Sequence, residues 1–422
     1  MLVEFRVRNF RSIRDDLCLS MTASKDKEKR DANTVETGIT SLPTLVRSAV
    51  IYGPNASGKS ALIMAMQFAQ IAVRTSASLM PGQPLNQAPF KLDAKTSAQP
   101  SEFEFTFLLQ GIRYQYGFAL LPDGIHEEWL LVYKASKPQV WFERKFDKKT
   151  EADVYHFGSS FVGTRKVWQQ ATRRNALFLS TAIQLNSESL RPVYDWIVER
   201  LVVFGAGSQP PFEQSTSWAS SAVEKPALLA FLGAADVGIF DVSVHKRKQH
   251  MLRFEVSDGE PRHAVSEAEV NFPVFLHKGP GGEAAFQMEE ESAGTQRLFA
   301  FAAPLIEALN AARVIVVDEL DSSLHSYIVR FLVELFHRPA GSSTAAQLIF
   351  TTHDTSLLDA NIFRRDQVWF MEKNREHASV LVPLTDFSPR KHEALERGYL
   401  QGRYGALPLT SDFVPGEKPL GT

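Results

Sequence analysis

The 422 residues contain one cysteine, Cys18. An internal disulfide framework is therefore excluded, and the composition suits a reducing cytosol. Cys18 lies in Leu17-Cys18-Leu19 and is expected as a small core residue, not a nucleophile. No run of about twenty apolar residues occurs, so no membrane-spanning helix is expected. The opening Met1-Leu2-Val3-Glu4-Phe5-Arg6 lacks a signal-peptide pattern, and a cytoplasmic location is expected. Net charge is only −2, so no global basic field recruits nucleic acid. Two local clusters, Lys246-Arg247-Lys248 and Arg364-Arg365, could meet phosphates. A solvated face is the simpler reading of the first, and the second precedes a strand and fits a structural role. There is no internal repeat and no long heptad run.

Against these absences stands Gly53-Pro54-Asn55-Ala56-Ser57-Gly58-Lys59-Ser60. It fits the phosphate-binding P-loop, G-x-x-x-x-G-K-[ST]. The apolar run Ser48 to Tyr52 precedes it, and the helix formers Ala61 to Met66 follow. Strand, glycine turn, helix is the context that the motif requires. Gly53 and Gly58 permit backbone angles that turn successive N–H groups toward an anion. The helix start points its positive end at the same charge. Lys59 would reach the β- and γ-phosphates, and the Ser60 hydroxyl would ligate Mg²⁺.

Residues 1–80 read as strands, an exposed charged loop at 24–38, then the P-loop strand and its helix to about Arg74. Residues 80–101 read as a connector. From Glu102 three alternating runs separated by Gln110-Gly111 and Pro122-Asp123-Gly124 predict an antiparallel meander. Val140 to Arg144 and Ala176 to Ser180 read as further strands, and Ser187 to Val203 as a helix. Residues 205–225 read as a Gly/Ser/Pro-rich connector, and 237–276 as two or three strands with loops. The remainder alternates helix and strand, which predicts βαβ units and a parallel sheet. The expected segments are 1–80, the first part of an α/β head with the P-loop; 81–186, an antiparallel β subdomain; 187–285, a mixed lid; and 286–422, the second part of the head.

Three later segments narrow the P-loop. Val314-Ile315-Val316-Val317 ends in Asp318-Glu319, which puts two acids at the carboxyl end of a strand, where α/β sheets bind ligands. Asp318 would hold Mg²⁺, and Glu319 could act as general base toward water. Leu348-Ile349-Phe350-Thr351-Thr352-His353-Asp354 ends another strand, and His353 could contact the γ-phosphate or the attacking water. Ser292-Ala293-Gly294-Thr295 opens a helix and forms a second anion site. A cavity holding Lys59 needs no second cradle from its own chain. The reading that uses both is a dimer with ATP sandwiched between the P-loop of one copy and the Ser292 turn of the other.

This order of motifs resembles the ABC-type ATPase head of the SMC/RecF/OLD group. The resemblance implies ATP-dependent dimerisation or higher assembly, with Asp321 in Leu320-Asp321-Ser322-Ser323-Leu324-His325 facing the dimer and His353 as the switch histidine. Phe5 to Ser12 is similar to that group's first strand and turn, where a basic residue approaches the nucleotide; Arg11 is the candidate, beside Gly53 to Ala61. A Mg²⁺-sensing glutamine is also implied. Gln184 is the first choice, an ordinary surface glutamine fits that place equally, and Gln110 and Gln115 are weaker alternatives. Glu291 to Phe299, Asp318 to His325, Gln347 to Asp359, Arg364 to Lys373 and Gly398 to Pro408 are similar to a prokaryotic AAA-family ATPase group that includes ATPase subunits of anti-phage systems such as PARIS. That likeness implies a switch controlling an effector partner, a nuclease among the candidates; a RecF-like DNA-end binder is the alternative. The chain departs from SMC-type heads in lacking a coiled coil. It departs from OLD-type relatives in having about seventy residues after His353 with no Asp-x-Asp pair. A GTPase reading lacks an Asn-Lys-x-Asp motif. The expected fold is thus an α/β P-loop NTPase of ABC type with an inserted antiparallel β subdomain and a mixed α/β lid.

Overall fold

Strands that are apolar without interruption end up covered on both faces, and alternating strands on one. A computed structural model describes residues 1–205, 210–257, 260–337, 345–388 and 394–408 and sorts the chain on this basis. In chain order the strands are β1 (Leu2–Arg8), β2 (Leu17–Ser20), β3 (Thr34–Ile39), β4 (Leu42–Val46), β5 (Ser48–Tyr52), β6 (Ser101–Leu109), β7 (Ile112–Leu121), β8 (Gly124–Tyr133) and β9 (Gln139–Asp147). They continue as β10 (Ala152–Phe157), β11 (Leu201–Phe204), β12 (Ile239–Ser257), β13 (Glu260–Gly279), β14 (Gly282–Gln287), β15 (Val314–Val317), β16 (Gln347–Thr351), β17 (Val368–Lys373) and β18 (Ser379–Pro383).

The six-stranded sheet runs β11-β15-β16-β5-β17-β18. The first five strands are parallel and β18 is antiparallel. Every residue of β5, β15 and β16 is buried. The seven-stranded antiparallel sheet runs β10-β9-β8-β7-β6-β1-β2. It crosses the expected boundary at residue 81, because β1 pairs with β6.

The helix Lys59–Thr75 lies between the two sheets. Leu62, Ile63, Met66 and Val73 are buried, and Phe68 meets Phe10 and Phe103 with ring centroids 5.5 and 5.1 Å apart. Its N-cap, Gly58, provides no side-chain bond. Packing therefore holds this helix, at roughly 1.5–3 kcal/mol for each large apolar side chain removed from water. The buried Gln347 side chain bonds Leu2 and Val46 and ties β1 to the parallel sheet.

Four local expectations change. Ala176–Ser180 is not a strand, because Phe178–Gln184 is a helix. The Glu128 carboxylate, from β8, accepts the Phe178 and Leu179 amides at 2.6 and 2.9 Å, so a distant side chain caps that first turn. The helix expected over Ser187–Val203 breaks into a helix at Arg191–Asp195, a wide π-type turn at Trp196–Arg200, and β11. The expected connector 205–225 contains the helix Glu213–Ser220. Cys18 is half-buried, on the face opposite Leu17 and Leu19, and burial pushes its thiol up to about 12. The expected core position is thus only half met, and a thiol raised in this way is a poor thiolate nucleophile.

The region 237–276 becomes a hairpin, β12 and β13, paired along its whole length, with β14 on the side of β13. Val242 and Phe275 are buried at its base, and Phe275 meets Phe299 edge-on at 5.0 Å. Phe299 belongs to the helix Ala293–Ala311, so the hairpin base rests on the helix that Ser292 opens. Lys246, Arg247 and Lys248 are exposed on β12, whereas Arg364 is buried and paired with Asp366 at 2.7 Å. The chain thus has a mixed α/β fold in which the P-loop follows a strand of the parallel sheet and an antiparallel sheet packs against the P-loop helix. Among the described residues no long coiled coil occurs, and no helix is long and apolar enough to cross a membrane.

Candidate functional site

The parallel strand order decides which loops meet. β16 lies between β15 and β5, so the acids after Val317, the histidine after Thr352 and the P-loop emerge at one end of the sheet. One cleft there is lined by the P-loop from Asn55 through Ala61 together with Arg11, Ser12, Glu319 and His353.

The P-loop backbone needs its glycines. A Cβ on Gly53 would strike the Met371 carbonyl oxygen, and one on Gly58, at φ 114°, would strike the Ser379 hydroxyl. Ser379 Oγ donates to the Ser57 carbonyl at 2.6 Å, and its amide donates to the Ser12 carbonyl at 2.8 Å. This seam holds the Arg11-Ser12 turn beside the P-loop. Lys59 is buried, and its Nζ donates to the Gly53 and Pro54 carbonyls at 2.7 and 3.1 Å. Burial lowers its pKa, while Asp318, Glu319 and Asp321 act to raise it.

The acids are held from β16. Thr351 Oγ donates to Asp318 Oδ1 at 2.5 Å and accepts the Glu319 amide at 2.7 Å. Asp318 Oδ2 is buried without a partner, as is the Ser57 hydroxyl. Asp318 precedes Glu319, which lines the cleft, and its charge acts on Lys59; a bare buried carboxylate oxygen there suits a hard cation. With the Ser60 hydroxyl lining the same cleft, the residues fit Mg²⁺. Among the described residues no cluster of three or more acids, cysteines or histidines that could hold a metal exists, so a Mg²⁺ here would take its further ligands from phosphate and water. Glu319 is exposed, has φ 51°, and its carbonyl accepts from Arg297 Nη2 at 2.7 Å. The exposed His353 donates its amide to Asp321 Oδ2 at 3.2 Å. Asp321 therefore bonds the His353 loop of its own chain.

Ser292 and Gly294 do not line this cleft. Ser292 is exposed and caps its helix by accepting the Thr295 amide at 3.1 Å. Gly294 lies against the Ser323 carbonyl, 2.7 Å from where a Cβ would stand. Gln184 is misplaced as a metal ligand. It bonds Ser78 Oγ at 3.2 Å, beyond the far end of the helix Lys59–Thr75. That is about 25 Å from Ser60 at 1.5 Å per residue. Gln110 and Gln115 belong to the β6–β7 hairpin, where Gln115 bonds Glu104 and Tyr133.

Residues 48–359 match the family described as AAA domain, putative AbiEii toxin, Type IV TA system. The chain belongs to this AAA-domain family. The match covers well over half of the sequence and includes the P-loop, the Ser292 turn, both acids and His353. No curated protein matches the chain. Among solved structures, the SMC head domain from Thermotoga maritima is similar at TM-score 0.40 and 14% identity, covering 90% of this chain and 98% of that one.

Sequence reasoning missed Thr351, Arg297, Ser12 and Ser379 as supports of the site. It also gave the C-terminal stretch Gly398 to Pro408 no role at the site. In this AAA-domain chain Tyr399, Gly402 and Gly405 to Pro408 form a wall beside Gly53 to Asn55 and His353. Tyr399 Oη donates to the Ala406 carbonyl at 2.8 Å, the Ala406 amide donates to Glu372 at 2.9 Å, and Thr355 Oγ donates to Glu396 at 3.0 Å.

Proposed function

We propose that the chain is a Mg²⁺-dependent ATPase whose copies assemble around ATP and switch a partner effector. The convergence of Lys59, Ser60, Arg11, Glu319 and His353 on one cleft carries the hydrolase reading. Lys59 leaves the Gly53 and Pro54 carbonyls for the phosphates, and the P-loop amides hold the β-phosphate. Ser60 and Asp318 would hold Mg²⁺, which would supply positive charge against the triphosphate. Glu319 takes the proton of a water whose oxygen bonds the γ-phosphorus as the bond to the β–γ bridging oxygen breaks, leaving ADP and phosphate. His353 orients that water or the γ-phosphate.

The exposed Ser292-Gly294 turn, absent from its own chain's cleft, supports the paired arrangement with ATP between two copies. Asp321 stands two residues before Ser323, whose carbonyl lies against Gly294, and its partner-facing role belongs to the same reading. The family description, with its toxin and type IV toxin–antitoxin terms, supports an effector partner, in line with the likeness to anti-phage ATPases. Neutral net charge favours a protein partner over direct DNA binding. Light scattering with and without Mg-ATP tests the assembly. Glu319→Gln should accumulate as an ATP-bound oligomer, and Lys59→Ala should bind no ATP. An unchanged monomer under all conditions would sink the sandwich, and salt-sensitive stimulation by DNA would favour the DNA-binding alternative.

A further inference from the structure

Thr351 is fully buried at the end of β16, and its hydroxyl is used twice. A threonine hydroxyl has one proton to give and lone pairs to receive with. The proton goes to Asp318 Oδ1, and a lone pair takes the Glu319 amide. The first bond decides which Asp318 oxygen is free, because it fixes Oδ1 and leaves the buried Oδ2 bare. The second bond acts on the neighbouring peptide. Glu319 adopts a left-handed backbone at φ 51°, uncommon for a residue with a Cβ, and such angles persist where the surroundings impose them. Here its amide is held by Thr351 and its carbonyl by Arg297. The two acids are adjacent in the chain but must do different work, one facing a cation and the other facing water. A single buried hydroxyl can enforce that division.

We infer that Thr351 is a positioning residue that orients both acids: it presents Asp318 Oδ2 to the cation and fixes the peptide from which Glu319 projects. The inference rests on the Mg-ATPase reading. It does not follow from packing alone, since valine would fill the same volume without the hydroxyl.

The test uses the full chain with Thr351→Val and Thr351→Ser. ATP affinity is measured by calorimetry with and without Mg²⁺, and kcat is measured alongside thermal melting. Loss of an outer-shell partner costs about 10- to 100-fold in metal affinity, so Thr351→Val should lose that much of the Mg²⁺-dependent gain while metal-free ATP affinity stays within about twofold. Thr351→Ser should recover most of both the gain and kcat. A Thr351→Val protein that keeps the full Mg²⁺ gain and kcat overturns the inference and leaves the ATPase reading standing. Equal loss of metal-free binding, or no recovery by serine, overturns it as well, in favour of a packing role. A wild-type chain whose ATP affinity ignores Mg²⁺ overturns both.

Discussion

At the scale of single residues, the site is a set of charges with assigned neighbours. Lys59 is already desolvated and bonded to two carbonyls, so a phosphate replaces existing contacts instead of drawing a mobile side chain out of water. Glu319 is the exposed acid and Asp318 the buried one, which suits the first to meet water and the second to meet a cation in the proposed mechanism. Glu319→Gln should therefore lower kcat about 10²- to 10⁴-fold with little change in ATP affinity, as single-turnover assays and calorimetry would reveal. A variant that loses affinity and rate equally would assign Glu319 to binding. Gly294→Ala should disturb assembly more than nucleotide binding, because its Cβ pushes on Ser323 and not on the P-loop. Titration of ATP binding against oligomer size distinguishes the two. The P-loop, Asp318-Glu319 and His353 were legible because each is a local spacing after an apolar run. Thr351, Arg297 and Ser379 were not, because their partners lie 33, 22 and 322 residues away.

At the scale of elements, the same distinction explains the misread helix. Ala176-Leu177-Phe178-Leu179-Ser180 is apolar enough for a buried strand, and its helical state depends on Glu128. Glu128 is itself fully buried, bonded by Tyr116 Oη at 3.0 Å and 3.7 Å from Arg144. Glu128→Ala should destabilise the chain by about 3–5 kcal/mol, because it leaves the Arg144 charge and two amides without this partner. Denaturant unfolding would measure it, and a change below about 1 kcal/mol would mean that other groups cap the helix. Placing Gln184 near the nucleotide failed for the same reason. A residue that looked like the end of a strand at the site is the end of a helix across the molecule.

At the scale of the whole molecule, the β1–β6 pairing and the intervening helix make one packed body from segments the sequence presents separately. The buried polar seam beneath the parallel sheet sets its acid sensitivity. His337 Nε2 meets Ser48 Oγ at 2.8 Å, and Gln367 bonds the same hydroxyl. Burial lowers the histidine from 6.5 to about 3. The unfolded chain therefore binds the extra proton first as pH falls, and stability declines between pH 6.5 and about 3. From pH 7 to pH 5 the loss should be about 2 kcal/mol, and His337→Gln should flatten that slope in pH-dependent unfolding. The hairpin has a mechanical consequence. Its strands of 19 and 20 residues span about 60 Å at ~3.3 Å per residue, so a tilt of about 10° at the base displaces the far end by about 10 Å. Because Phe275 at the base meets Phe299, a rotation of the Ser292 helix that carried the base with it would be magnified along the length of the hairpin.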